Sequence, residues 1–132
     1  MEKAVCPKCS GLLESITYRG IEVNRCMQCD GIWFDALAAD TLKTVRGSES
    51  LDRGNPYIGR KYDRITDGVK CPRCHVNLRR MLDIDRHSIW YERCAQCGGI
   101  WFDAGEFSQF KQNFRENHLL NRARAAWHRQ SK

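Results

Sequence analysis

The chain has 132 residues, 42% hydrophobic and 29% charged, with 22 Lys/Arg against 16 Asp/Glu for a formal charge of +6. No run approaches the roughly 18 apolar residues that cross a membrane, and the start, Met1 to Val5, lacks the apolar core of a secretory signal. These features argue against a membrane protein and a secreted disulfide scaffold, and the expectation is a cytoplasmic chain in a reducing compartment.

The first element is a knuckle, Cys6-Pro7-Lys8-Cys9, in which proline fixes φ and removes a donor. The amides that follow can then turn toward metal-bound sulfurs. Ile16 and Tyr18 alternate with polar residues, Arg19-Gly20 supplies a turn, and Ile21 and Val23 alternate on the return, which predicts a β-hairpin. A second pair, Cys26-Met27-Gln28-Cys29, leads into Gly31-Ile32-Trp33-Phe34-Asp35-Ala36, where Ile-Trp-Phe predicts a short third strand. Asp35 is placed as the N-cap of a helix from about Ala36 to Val45, ending near Gly47. Residues 47–69, with four glycines and Asn55-Pro56, read as a mobile linker, although Tyr57, Ile58 and Tyr62 are candidates to dock on a neighbour.

The unit then repeats: Cys71-Pro72-Arg73-Cys74, a hairpin carrying Leu82, Ile84, Ile89, Trp90 and Tyr91, then Cys94-Ala95-Gln96-Cys97 and Gly99-Ile100-Trp101-Phe102-Asp103-Ala104. Here 19 residues separate the inner cysteines, against 16 in the first copy, and the extra length is expected at the hairpin tip. Asp103 with Glu106 makes an acidic analogue of the capping box. Phe107, Phe110 and Phe114, then Leu120, Ala123 and Trp127, predict a long C-terminal helix. The expected organisation is a first ribbon with short helix over 1–46, a linker over 47–69, a second ribbon over 70–106 and a basic amphipathic helix over 107–132. The fold class is a small metal-stabilised α+β chain of two tandem zinc ribbons, each three-stranded and followed by a helix.

All eight cysteines belong to this pattern. Two close pairs per copy is the spacing of a tetrahedral zinc site, so Cys6, Cys9, Cys26 and Cys29 are expected to hold one Zn2+ and Cys71, Cys74, Cys94 and Cys97 another. Units of about 40 residues bury too little apolar area to fold unaided, and structural zinc contributes on the order of 10–16 kcal/mol. Cys-x-x-Cys disulfides would close loops too short to constrain the unfolded chain. Iron is the weaker substitute, since Ser10 and His75 rather than glycine follow the two proline knuckles. Eight thiolates and two dications together lower the formal charge to about +2. The ribbons then become acidic, whereas 43–70 carries seven basic and four acidic residues and 107–132 six and one.

The pattern C-P-x-C, hairpin, C-x-x-C-x-G-I-W-F-D resembles the transcription-factor-IIB-type zinc ribbon family. Cys97 to Glu106 matches that family's closing segment C-G-G-I-W-(L/F)-D-x-G-E throughout, whereas the first copy has Asp30 for glycine and Leu37-Ala38 for Gly-Glu. The resemblance implies structural zinc and a role in recognition. A catalytic zinc needs an open position that four cysteines do not leave, so His75 and His87 are expected as surface residues and no enzyme is expected. Cys-Pro-Lys-Cys lacks the βαβ context of a thiol oxidoreductase, leaving a redox-sensing zinc thiolate as a minor alternative. Trp33 and Trp101 are expected to pack beside zinc. Trp90 and Tyr91, one of which must face outward, and Arg122, Arg124, Trp127 and Arg129 are the candidate partner contacts. The partner class is nucleic acid, or alternatively a protein met in adaptor fashion, with self-association through the C-terminal helix as a further option.

Overall fold

The computed structural model describes residues 4–114. Each repeat forms a hairpin and a short third strand, as its spacing predicts. The first contributes β1 (Leu13–Tyr18), β2 (Ile21–Cys26) and β3 (Ile32–Phe34), followed by α1 (Ala38–Leu42). A 3-10 turn (Ser48–Leu51) and α2 (Pro56–Asp63) come next. The second repeat contributes β4 (Arg79–Ile84), β5 (Ser88–Arg93) and β6 (Ile100–Phe102), followed by α3, helical over 106–114 among the described residues. The remainder of the predicted C-terminal helix lies outside the described residues.

Local chemistry explains these elements. Arg19 and Gly20 both take positive φ (49° and 82°), the two-residue turn that suits a twisted hairpin. Tyr18 pairs with Ile21 in the first hairpin, and the equivalent pair in the second is Asp83 with Ile89. The second hairpin adds one further pair, Ile84 with Ser88, and a three-residue loop. All of its extra length is therefore at the tip, as expected.

The two repeats do not stand apart. The six strands make one sheet in the order β1-β2-β3-β6-β5-β4, every pair antiparallel, with β3 and β6 joined at the centre. Ile32 faces Phe102, Trp33 faces Trp101 and Phe34 faces Ile100. Antiparallel pairing of one Ile-Trp-Phe segment with its own repeat places a pseudo-two-fold axis between the tryptophans. Side chains alternate across a strand. Ile32, Phe34 and Phe102 therefore enter one buried cluster with Leu42, Leu51 and Phe107, while Trp33 and Trp101 enter another with the cysteines.

Residues 47–69 are not the irregular linker that their glycines predict. Asn55 caps α2 by accepting from the Tyr57 amide at 2.9 Å, with Pro56 at its first position. A Cβ on Gly59 would collide with the Ala104 carbonyl, so the glycine lets α2 lie directly on the start of α3. Asp52 accepts from the Gly105 amide at 2.8 Å and the Ser108 amide at 2.9 Å, capping α3 from the connection. The N-cap role expected of Asp103 is thus taken by Asp52. Only the returning half of the expected box forms, with Glu106 accepting from the Asp103 amide at 2.8 Å. Asp35 does not cap α1 with its side chain either: Leu37 occupies the N-cap position with φ of 70°, and α1 is shorter than the predicted helix.

Candidate metal centres

Each metal centre is assembled from two knuckles brought together by the hairpin between them. The first knuckle precedes β1 and the second follows β2, so pairing of Leu13 with Cys26 sets them side by side. In the second repeat the same geometry comes from β4 and β5. The residue after each knuckle turns left-handed: Ser10, Asp30, His75 and Gly98 have φ of 65°, 62°, 61° and 79°. That turn brings the amides of Lys8 and Cys9 to 3.4 Å from Cys6 Sγ. Gln28 and Cys29 donate likewise to Cys26 Sγ, and Arg73 and Cys74 to Cys71 Sγ. Amide donors of this kind offset the charge on a metal-bound thiolate. Glycine is not required at these turns, since serine, aspartate and histidine all adopt the conformation.

The eight sulfurs form two groups, Cys6/Cys9/Cys26/Cys29 and Cys71/Cys74/Cys94/Cys97, in each of which all the atoms lie within 4.8 Å of one another. Sulfurs about 2.3 Å from a central zinc stand about 3.8 Å apart at the corners of a tetrahedron. The Cys6–Cys29 and Cys71–Cys97 separations are 3.8 Å and Cys9–Cys26 is 3.4 Å, so the residues present fit two four-thiolate zinc sites. The chain binds two Zn2+ ions in these groups, each tying together the two knuckles of one repeat. Neither group includes a histidine: His75 is exposed, and His87 contacts Gln112 and Asn113 of α3.

The expectation that Trp33 and Trp101 pack beside zinc holds, but each also reaches into the opposite repeat. Both are fully buried. A Cβ on Gly31 would run into the Trp101 ring, and one on Gly99 into the Trp33 ring. The glycine of each Gly-Ile-Trp-Phe is therefore the floor on which the other copy's indole sits. The indole nitrogens donate to the next aspartate in their own copy, Trp33 to Asp35 at 2.9 Å and Trp101 to Asp103 at 3.0 Å.

Sequence reasoning missed a pair of cations that cross the axis. Lys8, in the first knuckle, reaches Glu92 at 2.7 Å and Asp103 at 3.3 Å in the second repeat, and also donates to the Tyr62 and Ile65 carbonyls. Arg73, at the matching place in the second proline knuckle, reaches Asp35 at 3.1 Å and Asn24 in the first repeat. Asn24 is the counterpart of Glu92, as Asp35 is of Asp103. The available signal was a basic residue third in both proline knuckles beside an aspartate after both Trp-Phe pairs. The crossings differ in burial, because the chain just beyond α2 closes over Lys8 alone: its side chain is 0% exposed, against 41% for Arg73.

Asp63, Glu92 and Asp103 also bring carboxylate oxygens together. The Lys8 ammonium already occupies that place, and Arg80 adds a second cation bonded to Asp63 and Glu92. Burial, opposed by Lys8, leaves the Glu92 carboxyl raised to about 7, and burial with the Asp103 charge beside it raises Glu106 to about 10.

Of the candidate partner residues, Trp90 is 41% exposed, whereas Tyr91 turns inward and packs on Phe102 and Phe110 at 5.5 and 6.3 Å between ring centres. Arg122, Arg124, Trp127 and Arg129 lie outside the described residues. No helix among the described residues is long and apolar enough to cross a membrane.

Comparison with curated proteins finds no match, and comparison with solved structures finds none either. The family described as transcription factor zinc-finger, the TFIIB-type zinc ribbon, matches residues 5–45 and again 70–113, which are the two repeats with their cysteine groups. With more than half its length in those two matches and both four-sulfur groups assembled, the chain belongs to the TFIIB-type zinc ribbon family.

Proposed function

We propose that this chain is a non-enzymatic recognition module in which zinc builds the scaffold and a basic surface contacts nucleic acid. Four thiolates close each metal site, so no coordination position is left for water or substrate. One observation carries the partner class: Arg60, Lys61 and Arg64 are exposed on and just after α2, within a stretch where basic residues outnumber acidic ones. The same excess recurs over 107–132. Binding of labelled DNA and RNA at 50 and 200 mM salt tests the reading. The expected result is binding at low salt that weakens at least about ten-fold at the higher salt, because phosphate contacts release counterions. Absence of binding at low salt removes the proposal.

A protein adaptor is the second reading, favoured by exposed apolar side chains at Leu37 (75%), Ile84 (65%) and Met27 (63%). Contacts of that kind tolerate the same change in salt. Self-association through the C-terminal segment and zinc release by oxidation are lesser forms of it and of regulation; the partial exposure of Cys9, Cys74 and Cys97 favours the latter. Eight cysteines given to metal sites, none of them in a disulfide, fit a reducing cytoplasm.

A further inference from the structure

Trp90 stands apart from the buried tryptophans. It projects from the outer face of β5, directly across from Leu82, and lines a groove of about 400 Å³ with Pro56, Arg60 and Asp63 of α2 and Gln109 of α3. The Arg80 guanidinium lies over its ring, 4.9 Å from the centre, and is held there by Asp63 and Glu92. Arg60, which also lines the groove, lies 4.4 Å over the ring of Tyr57, which is 76% exposed. Two exposed aromatic rings are thus each backed by a guanidinium, Trp90 within the groove and Tyr57 outside its lining, next in sequence to Pro56 and under Arg60. The nearby acids are engaged internally: Asp63 binds Arg80, and Glu106 accepts from the Asp103 amide. Lys61 and Arg64 add exposed positive charge beyond Arg60.

We propose that this groove binds single-stranded nucleic acid, with Trp90 and Tyr57 stacking on unpaired bases and Arg60, Lys61 and Arg64 holding the phosphates. The proposal rests on the nucleic-acid reading above and narrows it. Stacking on aromatic rings needs base faces that a duplex keeps covered, and it tolerates any base because every base has a π face. Arginine on an aromatic ring fixes the ring and adds charge where a backbone passes. A protein partner is less well matched, since α2 and the residue after it offer three exposed cations, and the groove acid Asp63 is bonded to Arg80.

The test is fluorescence anisotropy of labelled 12-nucleotide single-stranded DNA and RNA, and of a duplex of the same sequence, with the full zinc-loaded chain. Trp90→Ala and Tyr57→Ala are each expected to weaken single-strand binding about ten-fold, while Trp90→Phe retains most of it. Zinc content and circular dichroism confirm that the variants are folded. Replacing Arg60, Lys61 and Arg64 by glutamine should lower the slope of log affinity against log salt by about two. Comparison of the DNA and RNA arms identifies which strand is preferred. Preference for duplex, or binding that ignores both aromatic substitutions, overturns this site while leaving the nucleic-acid reading standing. Failure of every oligonucleotide to bind at low salt overturns both.

Discussion

Lys8 and Arg73 show how burial changes the worth of one ion pair. They occupy matching positions, cross the same axis and meet matching aspartates, yet Lys8 and its partners Glu92 and Asp103 are nearly inaccessible. Arg73 and Asp35 are 41% and 47% exposed. Removing one member of a buried pair leaves uncompensated charge and costs about 3–5 kcal/mol, whereas an exposed pair contributes at most about 1 kcal/mol. Lys8→Met should therefore lower the thermal midpoint of the zinc-loaded protein strongly, and Arg73→Met only slightly. Equal shifts in differential scanning calorimetry would show that burial is not what separates them. The knuckle residue types were readable in advance; the role of Lys8 was not, because Asp103 lies 95 positions away in the chain.

At the scale of elements, three-residue strands such as β3 and β6 are too short to pair stably alone. Their junction holds because Phe34 and Phe102 meet edge to face at 5.6 Å on one side of the sheet while the two indoles lie on the other. Gly31 and Gly99 make the second contact possible. Gly31→Ala or Gly99→Ala should each destabilise by about 1–3 kcal/mol through overpacking against the opposite Trp ring. A chemical-denaturation midpoint unchanged in both variants would refute the interlock. The Gly-Ile-Trp-Phe repeat announced a buried strand, and its bulk implied packing near zinc. It did not announce that each tryptophan sits on the other copy's glycine, since identical repeats look the same whether they are separate or paired.

For the whole molecule, the continuous sheet changes what loss of one metal does. Independent ribbons would fail one at a time, and Cys26→Ser would then release one zinc and leave the second repeat intact. Here Cys26, Cys94, Trp33 and Trp101 lie in one buried cluster, and α2 bridges from the first repeat to the second. Cys26→Ser is therefore expected to disturb both repeats, with amide resonances of 70–113 shifting or broadening in a heteronuclear correlation spectrum. A second-repeat spectrum identical to the parent's would restore the picture of separate units. Chelator titration should likewise give one unfolding transition carrying both ions, rather than two steps.

Interactions between residues at most 26 positions apart were legible in the sequence: the two cysteine quartets, the knuckles, the Arg19-Gly20 hairpin and the longer second tip, and with them the family. Metal ligation, turn conformation and strand alternation are local demands, and residue type and spacing state them openly. The joining of β3 to β6, the crossing cations, the capping of α3 by Asp52 and the guanidinium-backed groove beside Trp90 came from folding alone. Each depends on which surfaces meet across the pseudo-two-fold axis, and a repeated pattern specifies matching surfaces without saying whether they face one another or water.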